Sequence, residues 1–171
     1  MDSLYDREAV RPMWEELVNV GFRPLTTAEE VDEALSQTEG VTLLVVNSVC
    51  GCAAGGARPA VMLALQHERI PDRLVTVFAG VDQEAVGRAR EYLPEYAPSS
   101  PFIALFKDGH PVFVLERVPI EQMDVKGLVK YLVQAFDEYC AAPGPSIPRE
   151  EFEKVVPHDR CGSTVPLNQP Q

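Results

Sequence analysis

The strongest constraint on the fold is a run of apolar and β-branched residues, Val41 to Val46 (VTLLVV), which two cysteines follow closely. A continuous run of this kind is typical of a strand buried on both faces, since a half-exposed strand alternates apolar with polar residues. Such strands lie in sheets that helices cover on both sides. The run therefore predicts a layered α/β domain whose central strand leads into Cys50 and Cys52.

Helical and strand patterns alternate along the rest of this domain. Apolar residues at helical spacing begin at Val10, and Thr27 with Glu30 has the pattern of a capping box that opens a second helix. Beyond the central run, the patterns predict a helix around 61–65, a strand at 74–79, a helix at 83–93, strands at 102–106 and 112–115, and a helix at 125–136. An Asp108-Gly109 pair between the last two strands is a hairpin signal. Strands connected through a helix are parallel, and the hairpin adds an antiparallel edge strand. The order of elements therefore predicts a four-stranded mixed sheet with flanking helices. This is the core of a thioredoxin-like fold, here with an N-terminal helical extension.

Length and proline distribution divide the chain unevenly. Its 171 residues suffice for one domain with a hydrophobic core, and six of the 15 prolines fall after residue 140. Proline-rich polar segments favour extended or disordered chain. We therefore expect a domain at residues 1–140 and a tail at 141–171 that is extended or partly disordered, able to dock through Ile147, Phe152, Val155 and Val156.

The charge balance and the N-terminal residues indicate which partners and which compartment to expect for the protein. With 15 basic and 26 acidic residues the formal net charge is −11, which disfavours nucleic acid and anionic membrane surfaces as partners. The N-terminal residues lack the apolar region of a signal peptide, and no run reaches membrane-spanning length. We expect a cytoplasmic protein, whose thiols are kept reduced.

Cys50 and Cys52 are separated by a single glycine and lie where the central strand gives way to a helix. The nucleophile in thiol–disulfide exchange is the thiolate, which a helix N-terminus stabilises. Gly51, Gly55 and Gly56 leave room for another chain or a small thiol. A disulfide within C-x-C closes a small, strained ring and is easily reduced. The pattern indicates redox cysteines.

Two other interpretations of the cysteines remain open. Cys50 and Cys52 could be small buried hydrophobes at a strand end, although the glycines around them fill a core poorly. Alternatively, a metal could be bound by Cys50, Cys52, His158 and Cys161, although zinc sites normally use a longer spacing between the first two cysteines. Cys140 ends an amphipathic helix and is expected to pack there, whereas Cys161 could be a third redox thiol, a dimer contact or incidental.

Ser100 and Pro101 lead into the strand predicted at 102–106. A proline is sterically suited to the start of a strand. In a thioredoxin-like fold this position holds a cis peptide packed against the reactive cysteine, and an ordinary trans turn proline is the other possibility.

Three stretches resemble the bacilliredoxin family, thioredoxin-like proteins with a CGC active-site motif: VNSVCGCAAGGARP at 46–59, SSPFIALFKDG at 99–109, and FDEYC ending at Cys140. The resemblance covers about residues 1–140 and implies that Cys50 is the attacking thiol and Cys52 the second active-site cysteine. The implied reaction removes bacillithiol from mixed disulfides on oxidised proteins. Cys50 attacks the disulfide, releases the reduced protein and carries the bacillithiol until a further thiol or Cys52 resolves it. Bacillithiol is then a thiol co-substrate, and neither a cofactor nor a metal is expected.

The resemblance also suggests substrate-binding residues. Bacillithiol carries a malate unit, and Arg58 is the nearest candidate cation in sequence, with a solvated helix position or a surface salt bridge as its alternative. Ser100, beside Pro101, is expected to offer backbone groups in strand-like pairing, and Gly51 to give the substrate close access. Asn47 is expected to position the loop, or simply to turn the chain. The same cysteines could instead serve a protein disulfide isomerase or reductase that does not use bacillithiol, or a metal-binding module.

Overall fold

The computed structural model describes residues 3–155 of the chain. The helices are α1 (Arg11–Asn19), α2 (Ala28–Leu35), a π-helical segment (Ala53–Ala57), α3 (Arg58–Ala64), α4 (Gln83–Glu91), α5 (Arg117–Gln122), α6 (Val125–Tyr139) and α7 (Arg149–Phe152). The strands are β1 (Arg23–Pro24), β2 (Val41–Asn47), β3 (Arg69–Ile70), β4 (Arg73–Phe78), β5 (Phe102–Lys107), β6 (His110–Leu115) and β7 (Ala142–Pro143). None of these helices is long and apolar enough to cross a membrane.

The main sheet of this part of the chain has five strands in the order β1-β4-β2-β5-β6. The predicted central strand, β2, runs parallel to β4 and antiparallel to β5, and β5 pairs antiparallel with β6. This mixed sheet with flanking helices confirms the predicted α/β, thioredoxin-like fold class. The fifth strand, β1, was not predicted, because two residues paired with the edge of β4 carry no periodicity of their own.

The central strand joins two hydrophobic cores, one on each face of the sheet. All seven residues of β2 are buried. Val41, Leu43 and Val45 face the core that includes residues of α3 and α6, whereas Leu44 and Val46 face the core that includes residues of α2 and α4. Successive side chains of a strand point to opposite faces, so a strand that faces two cores carries apolar side chains in both alternating sets of positions.

Local signals in the sequence are also found in the structure. Asp108 and Gly109 have φ angles of 55° and 77°, as a two-residue hairpin turn requires, and Lys107 pairs with His110 across it. The strand after this turn therefore begins earlier than predicted. At the start of α2, the Thr27 side chain accepts a hydrogen bond of 3.2 Å from the Glu30 N–H, the first half of the predicted capping box.

The beginning of the predicted tail is docked on the domain. β7 pairs with β3, and the Ser146 N–H donates to the Leu65 carbonyl at 2.9 Å. Ile147, Phe152 and Val155 pack against the core that contains α3 and α6. As far as residue 155 the segment is therefore not a free extended chain, because its apolar side chains complete the core. Val156, His158 and Cys161 lie outside the described residues.

Candidate active site

Cys50 lies between the end of β2 and the start of a helix. Helical conformation begins at Gly51, and the Cys50 carbonyl accepts hydrogen bonds of 3.1 Å from the N–H groups of both Ala53 and Ala54. The cysteine thus occupies the first turn of a helix, where the helix dipole favours negative charge. Its side chain is half-buried.

The Cys50 sulfur has a polar neighbour in Ser48. The Ser48 hydroxyl oxygen lies 3.0 Å from Cys50 Sγ, and the same oxygen accepts a hydrogen bond of 3.4 Å from the Cys50 N–H. A thiolate at Cys50 would accept a hydrogen bond from this hydroxyl, and hydrogen bonds to a charged group are among the stronger ones in proteins. Sequence reasoning missed this residue, although a serine two positions before a cysteine at a helix start was a usable signal.

A buried polar network fixes the loop that carries Ser48. The Arg58 Nη1 donates to Asn47 Oδ1 at 3.1 Å and to the Ser48 carbonyl at 2.9 Å. Asn47 Nδ2 donates to the Met13 carbonyl at 3.1 Å, which ties the loop to α1. The Arg58 guanidinium also forms an ion pair with Glu16 of α1. The expectation that Asn47 positions the loop therefore agrees with its contacts.

The predicted contact between Arg58 and a substrate carboxylate does not fit the structure. The Arg58 side chain is 0% exposed and the Glu16 side chain 3% exposed. A soluble thiol bound at the surface cannot reach a guanidinium enclosed in this way, and a buried charge is retained only when it is paired and hydrogen-bonded. Arg58 instead links α1, the end of β2 and the start of α3.

Cys52 has a charged neighbour that the sequence did not suggest. Its Sγ donates a hydrogen bond of 3.2 Å to Glu121 Oε1. The same carboxylate oxygen accepts a hydrogen bond of 2.7 Å from Arg117 Nε, and Arg117 Nη1 lies 3.4 Å from the Ser100 carbonyl oxygen. Both α5 residues are exposed, at 46% for the Arg117 side chain and 40% for that of Glu121.

The electrostatics of these groups differ between the two thiols. Burial, and next the hydrogen bond to Glu121, raise the pKa of Cys52 to about 11. The hydrogen bond from Arg117 lowers the pKa of the Glu121 carboxyl, so it is ionised at neutral pH. Glu121 in turn raises the pKa of Arg117, and a negative charge on Cys50 raises it further. Arg117 is therefore a cation whose charge interacts with both Cys50 and Cys52.

The topology of the sheet brings Arg117 to this edge. β2 runs antiparallel to β5 and β5 antiparallel to β6, so the carboxyl ends of β2 and β6 lie at the same edge of the sheet. Arg117 opens α5 soon after β6 ends at Leu115. The strand directions predicted from the sequence already bring the end of the last strand to this edge. The helix α5 itself was not predicted, because it is short and contains Pro119.

The remaining predicted site residues lie at the same edge with different exposure. The Ser100–Pro101 peptide bond is cis, the first of the two possibilities that the sequence left open. Val46 pairs with Phe102, so the same register brings Pro101 level with Asn47, the last residue of β2. Pro101 is buried, Ser100 is half-buried and Gly51 is exposed. Of these three, Gly51 and Ser100 can therefore be reached from solvent.

Cys140 packs in the hydrophobic core, as the sequence predicted. The residue is 5% exposed, and burial raises its pKa to about 12.

The alternative metal site is the other use that the sequence left open for the cysteines. Between residues 3 and 155, no group of three or more His, Cys, Asp or Glu side chains is arranged to hold a metal ion. The hypothetical four-ligand site also needs His158 and Cys161, which lie beyond this range.

Comparison with known proteins gives this site a context. Residues 5–140 match the family model described as "Disulphide isomerase". A bacilliredoxin of Salinibacter ruber is 52% identical over 143 residues, which cover 82% of this chain and 84% of that protein. A bacilliredoxin of Staphylococcus saprophyticus is 51% identical over 138 residues, covering 81% of this chain and 94% of the relative. The chain belongs to the bacilliredoxin family.

Membership in the bacilliredoxin family gives the chain a redox function of the thiol–disulfide type. A third relative, a bacilliredoxin of Shouchella clausii, is 48% identical over 136 residues, covering 80% of this chain and 94% of its own length. The matched family region ends at Cys140, the boundary predicted for the domain, whereas the docked segment continues to residue 155. The CGC motif and the residues of α5 lie within the matched region.

Proposed function

We propose that this bacilliredoxin-family chain removes bacillithiol from S-bacillithiolated proteins, with Cys50 as the attacking thiol and Cys52 as the second active-site cysteine. The observation that carries the proposal is the position of Cys50 at the start of a helix with the Ser48 hydroxyl 3.0 Å from its sulfur. A helix N-terminus and a hydroxyl donor both favour the thiolate that thiol–disulfide exchange requires. The names of the relatives indicate the small thiol.

The exchange begins when the Cys50 thiolate attacks the bacillithiol sulfur of the mixed disulfide. A bond forms between Cys50 Sγ and that sulfur, and the old disulfide breaks, so that the protein substrate leaves as a thiolate and takes a proton from water. The bacillithiol now attached to Cys50 is released in one of two ways. Either the Cys52 thiolate attacks Cys50 Sγ, which closes the Cys50–Cys52 disulfide and expels bacillithiol as a thiolate, or a second small thiolate attacks the bacillithiol sulfur and Cys50 leaves as a thiolate. Bacillithiol is a co-substrate here, and the scheme requires no metal or cofactor.

Substrate contacts are assigned by charge and exposure. Arg117 replaces Arg58 as the cation for the malate of bacillithiol, because it is exposed and its charge interacts with Cys50. The exposed Gly51 gives the substrate access to the sulfurs, and the backbone of Ser100, next to Pro101, offers strand-like pairing. The Ser100 carbonyl that would take part is also 3.4 Å from Arg117. We assign the protein to the cytoplasm, where S-bacillithiolated or oxidised proteins are its partners.

A Cys52→Ala variant mixed with a bacillithiolated protein tests the proposal by mass spectrometry. We expect a stable adduct of bacillithiol mass on Cys50 together with the released, reduced protein, because the variant lacks the thiol that would displace it. The matched Cys50→Ala variant should form no adduct. An adduct that forms equally well on Cys50→Ala would show that Cys50 is not the nucleophile.

A protein disulfide isomerase or reductase is the second candidate, and the description of the matching family model favours it. An isomerase would restore activity to a protein with scrambled disulfides without any bacillithiol, whereas the proposed enzyme acts on the bacillithiol mixed disulfide. Comparing both substrates at equal enzyme concentration decides between the two functions.

A further inference from the structure

The two cysteines of the CGC motif have opposite hydrogen-bond environments. Cys50 Sγ lies 3.0 Å from a hydroxyl, which can donate a hydrogen bond to a thiolate. Cys52 Sγ donates to the carboxylate of Glu121 at 3.2 Å. An ionised carboxylate can only accept hydrogen bonds, so this contact exists for a protonated Cys52 and becomes repulsive for a thiolate. The hydrogen-bond partners therefore favour a thiolate at Cys50 and a protonated thiol at Cys52, although a single residue separates the two cysteines.

Arg117 maintains this difference. Its Nε donates to Glu121 Oε1 at 2.7 Å, which keeps the carboxylate ionised and oriented toward Cys52. Its charge is also attracted to a negative charge on Cys50. The charged and titratable groups that act on Cys52 include Cys50 on its own loop and Glu121 and Arg117 on α5.

We propose that the Arg117–Glu121 pair holds Cys52 as a protonated thiol while Cys50 reacts, so that Glu121 slows closure of the Cys50–Cys52 disulfide and prolongs the Cys50 mixed disulfide. This inference rests on the proposed function, because it concerns the intermediate of that reaction. A long-lived intermediate leaves time for a second small thiol to collect the bacillithiol from Cys50.

The closing step shows how the pair acts. Cys52 loses its proton to solvent, its thiolate attacks Cys50 Sγ, and the bond between Cys50 Sγ and the bacillithiol sulfur breaks. Bacillithiol leaves as a thiolate and is protonated by water, so the cysteine pair is oxidised and the small thiol reduced. Burial, Glu121 and the Cys50 charge raise the pKa of Cys52 to about 11 in the resting protein. Once Cys50 is part of a disulfide it carries no charge, whereas burial and Glu121 continue to disfavour the Cys52 thiolate.

The first experiment measures the ionisation of Cys52 without bacillithiol. Cys52 is alkylated at a series of pH values in a Cys50→Ser background, and peptide mapping reports its modification separately from the other cysteines. We expect Glu121→Gln to move the midpoint of the alkylation profile to lower pH, because the repulsive carboxylate is gone. Glu138→Gln, which removes the same charge from an exposed position on α6, should leave the midpoint unchanged. A midpoint that is the same in all three proteins overturns the proposal.

The second experiment follows closure of the disulfide in the protein with both cysteines. The protein is mixed with no more than one molar equivalent of a small chromogenic disulfide, so that after the first release of chromophore the second release reports attack of Cys52 on the Cys50 adduct. Lowering the pKa of Cys52 by one unit gives about ten times more thiolate, but each thiolate is roughly threefold less nucleophilic. Glu121→Gln should therefore accelerate closure about threefold for each unit by which it lowers this pKa. Slower closure in Glu121→Gln would instead make Glu121 a proton acceptor and overturn the proposal.

These results are separable from those on the proposed function. Both measurements use probes other than bacillithiol, so a failure of Cys52→Ala to collect bacillithiol on Cys50 would reject the substrate and leave the role of Glu121 intact. Conversely, an adduct on Cys50 combined with unchanged Cys52 ionisation would retain the function and reject the role of Glu121. Glu121→Asp, which keeps the charge on a shorter side chain, should lie between the wild type and Glu121→Gln in both assays.

Discussion

Two arginine–glutamate pairs lie beside the CGC motif, and they differ most in burial. The side chains of Arg58 and Glu16 are 0% and 3% exposed, whereas those of Arg117 and Glu121 are 46% and 40% exposed. The buried pair lies behind the loop that carries Ser48, and the exposed pair contacts Cys52 and Ser100. Two ion pairs of the same residue types therefore contact different parts of one site, the buried pair behind the cysteine loop and the exposed pair at its surface.

Burial determines what each pair can do. Removing two charges from water is costly, and the buried pair is tolerated because its guanidinium also bonds Asn47 and Ser48. Such a group cannot exchange partners during a reaction. The exposed pair is screened by solvent and adds little to stability, but its charges can respond to a substrate or to a change of charge on a cysteine. The comparison predicts that the buried pair controls folding and loop geometry, and the exposed pair controls reactivity.

The largest effect should follow from breaking the buried pair. Glu16→Gln leaves the Arg58 charge without its carboxylate in the interior, and we expect the free energy of unfolding to fall by about 3–5 kcal/mol. Urea denaturation measures this difference. Glu15→Gln, a neighbouring position on α1 whose side chain is 43% exposed, is the matched control and should cost little. A loss for Glu16→Gln no larger than that of the control would mean that the ion pair is not needed for folding.

A smaller loss of stability is expected when both charges are replaced together. The double substitution Glu16→Leu with Arg58→Met fills the space with apolar side chains and leaves no unpaired buried charge, so it should cost less than Glu16→Gln. The Ser48 carbonyl would still lose its donor. We therefore expect a folded protein whose Cys50 reacts more slowly with a small disulfide. Wild-type reactivity in a stable double variant would show that the network does not position the cysteine loop.

The sequence predicted the main elements because their signals are local, whereas the role assigned to the CGC motif stays a prediction. The run at 41–46 and the Asp108-Gly109 turn specify their own structure, since β-branched residues suit a buried strand and a turn with two positive φ angles favours Asp-Gly. By contrast, β1 forms only where β4 offers an unpaired edge. The docked segment after residue 140 likewise depends on a core that residues distant in sequence build.

The roles of the arginines could not be assigned from neighbouring residues alone. Arg58 is close to Cys50 in sequence but points into the interior, whereas Arg117 is distant in sequence and lies at the site. One signal was present for Arg58: Glu16 shares the apolar stripe of α1 with Met13 and Leu17, and an acid on a buried stripe requires a buried cation. The N-terminal helix α1 therefore supports the site as well as extending the domain.

The smallest effect that we predict concerns the charge of Arg117. Arg117→Gln removes a cation whose charge interacts with Cys50, so Cys50 should react more slowly with an anionic small disulfide, roughly fivefold or less for an exposed charge. A neutral disulfide of similar size should be affected less, and added salt should reduce the difference between the two. The initial rate of the reaction with each disulfide, measured at low and high ionic strength, gives the comparison. Lys126→Gln, an equal loss of charge on α6, is the control.

The Arg117 substitution also releases Glu121, whose carboxylate would repel an anionic disulfide by itself. The same measurement in a Glu121→Gln background separates these contributions, because Arg117→Gln then removes only the attractive charge. If Arg117→Gln still slows the anionic disulfide more than the neutral one in that background, the attraction belongs to the guanidinium. If both disulfides slow equally there, Arg117 acts on the geometry of the loop, and the exposed pair would resemble the buried one in function despite its exposure.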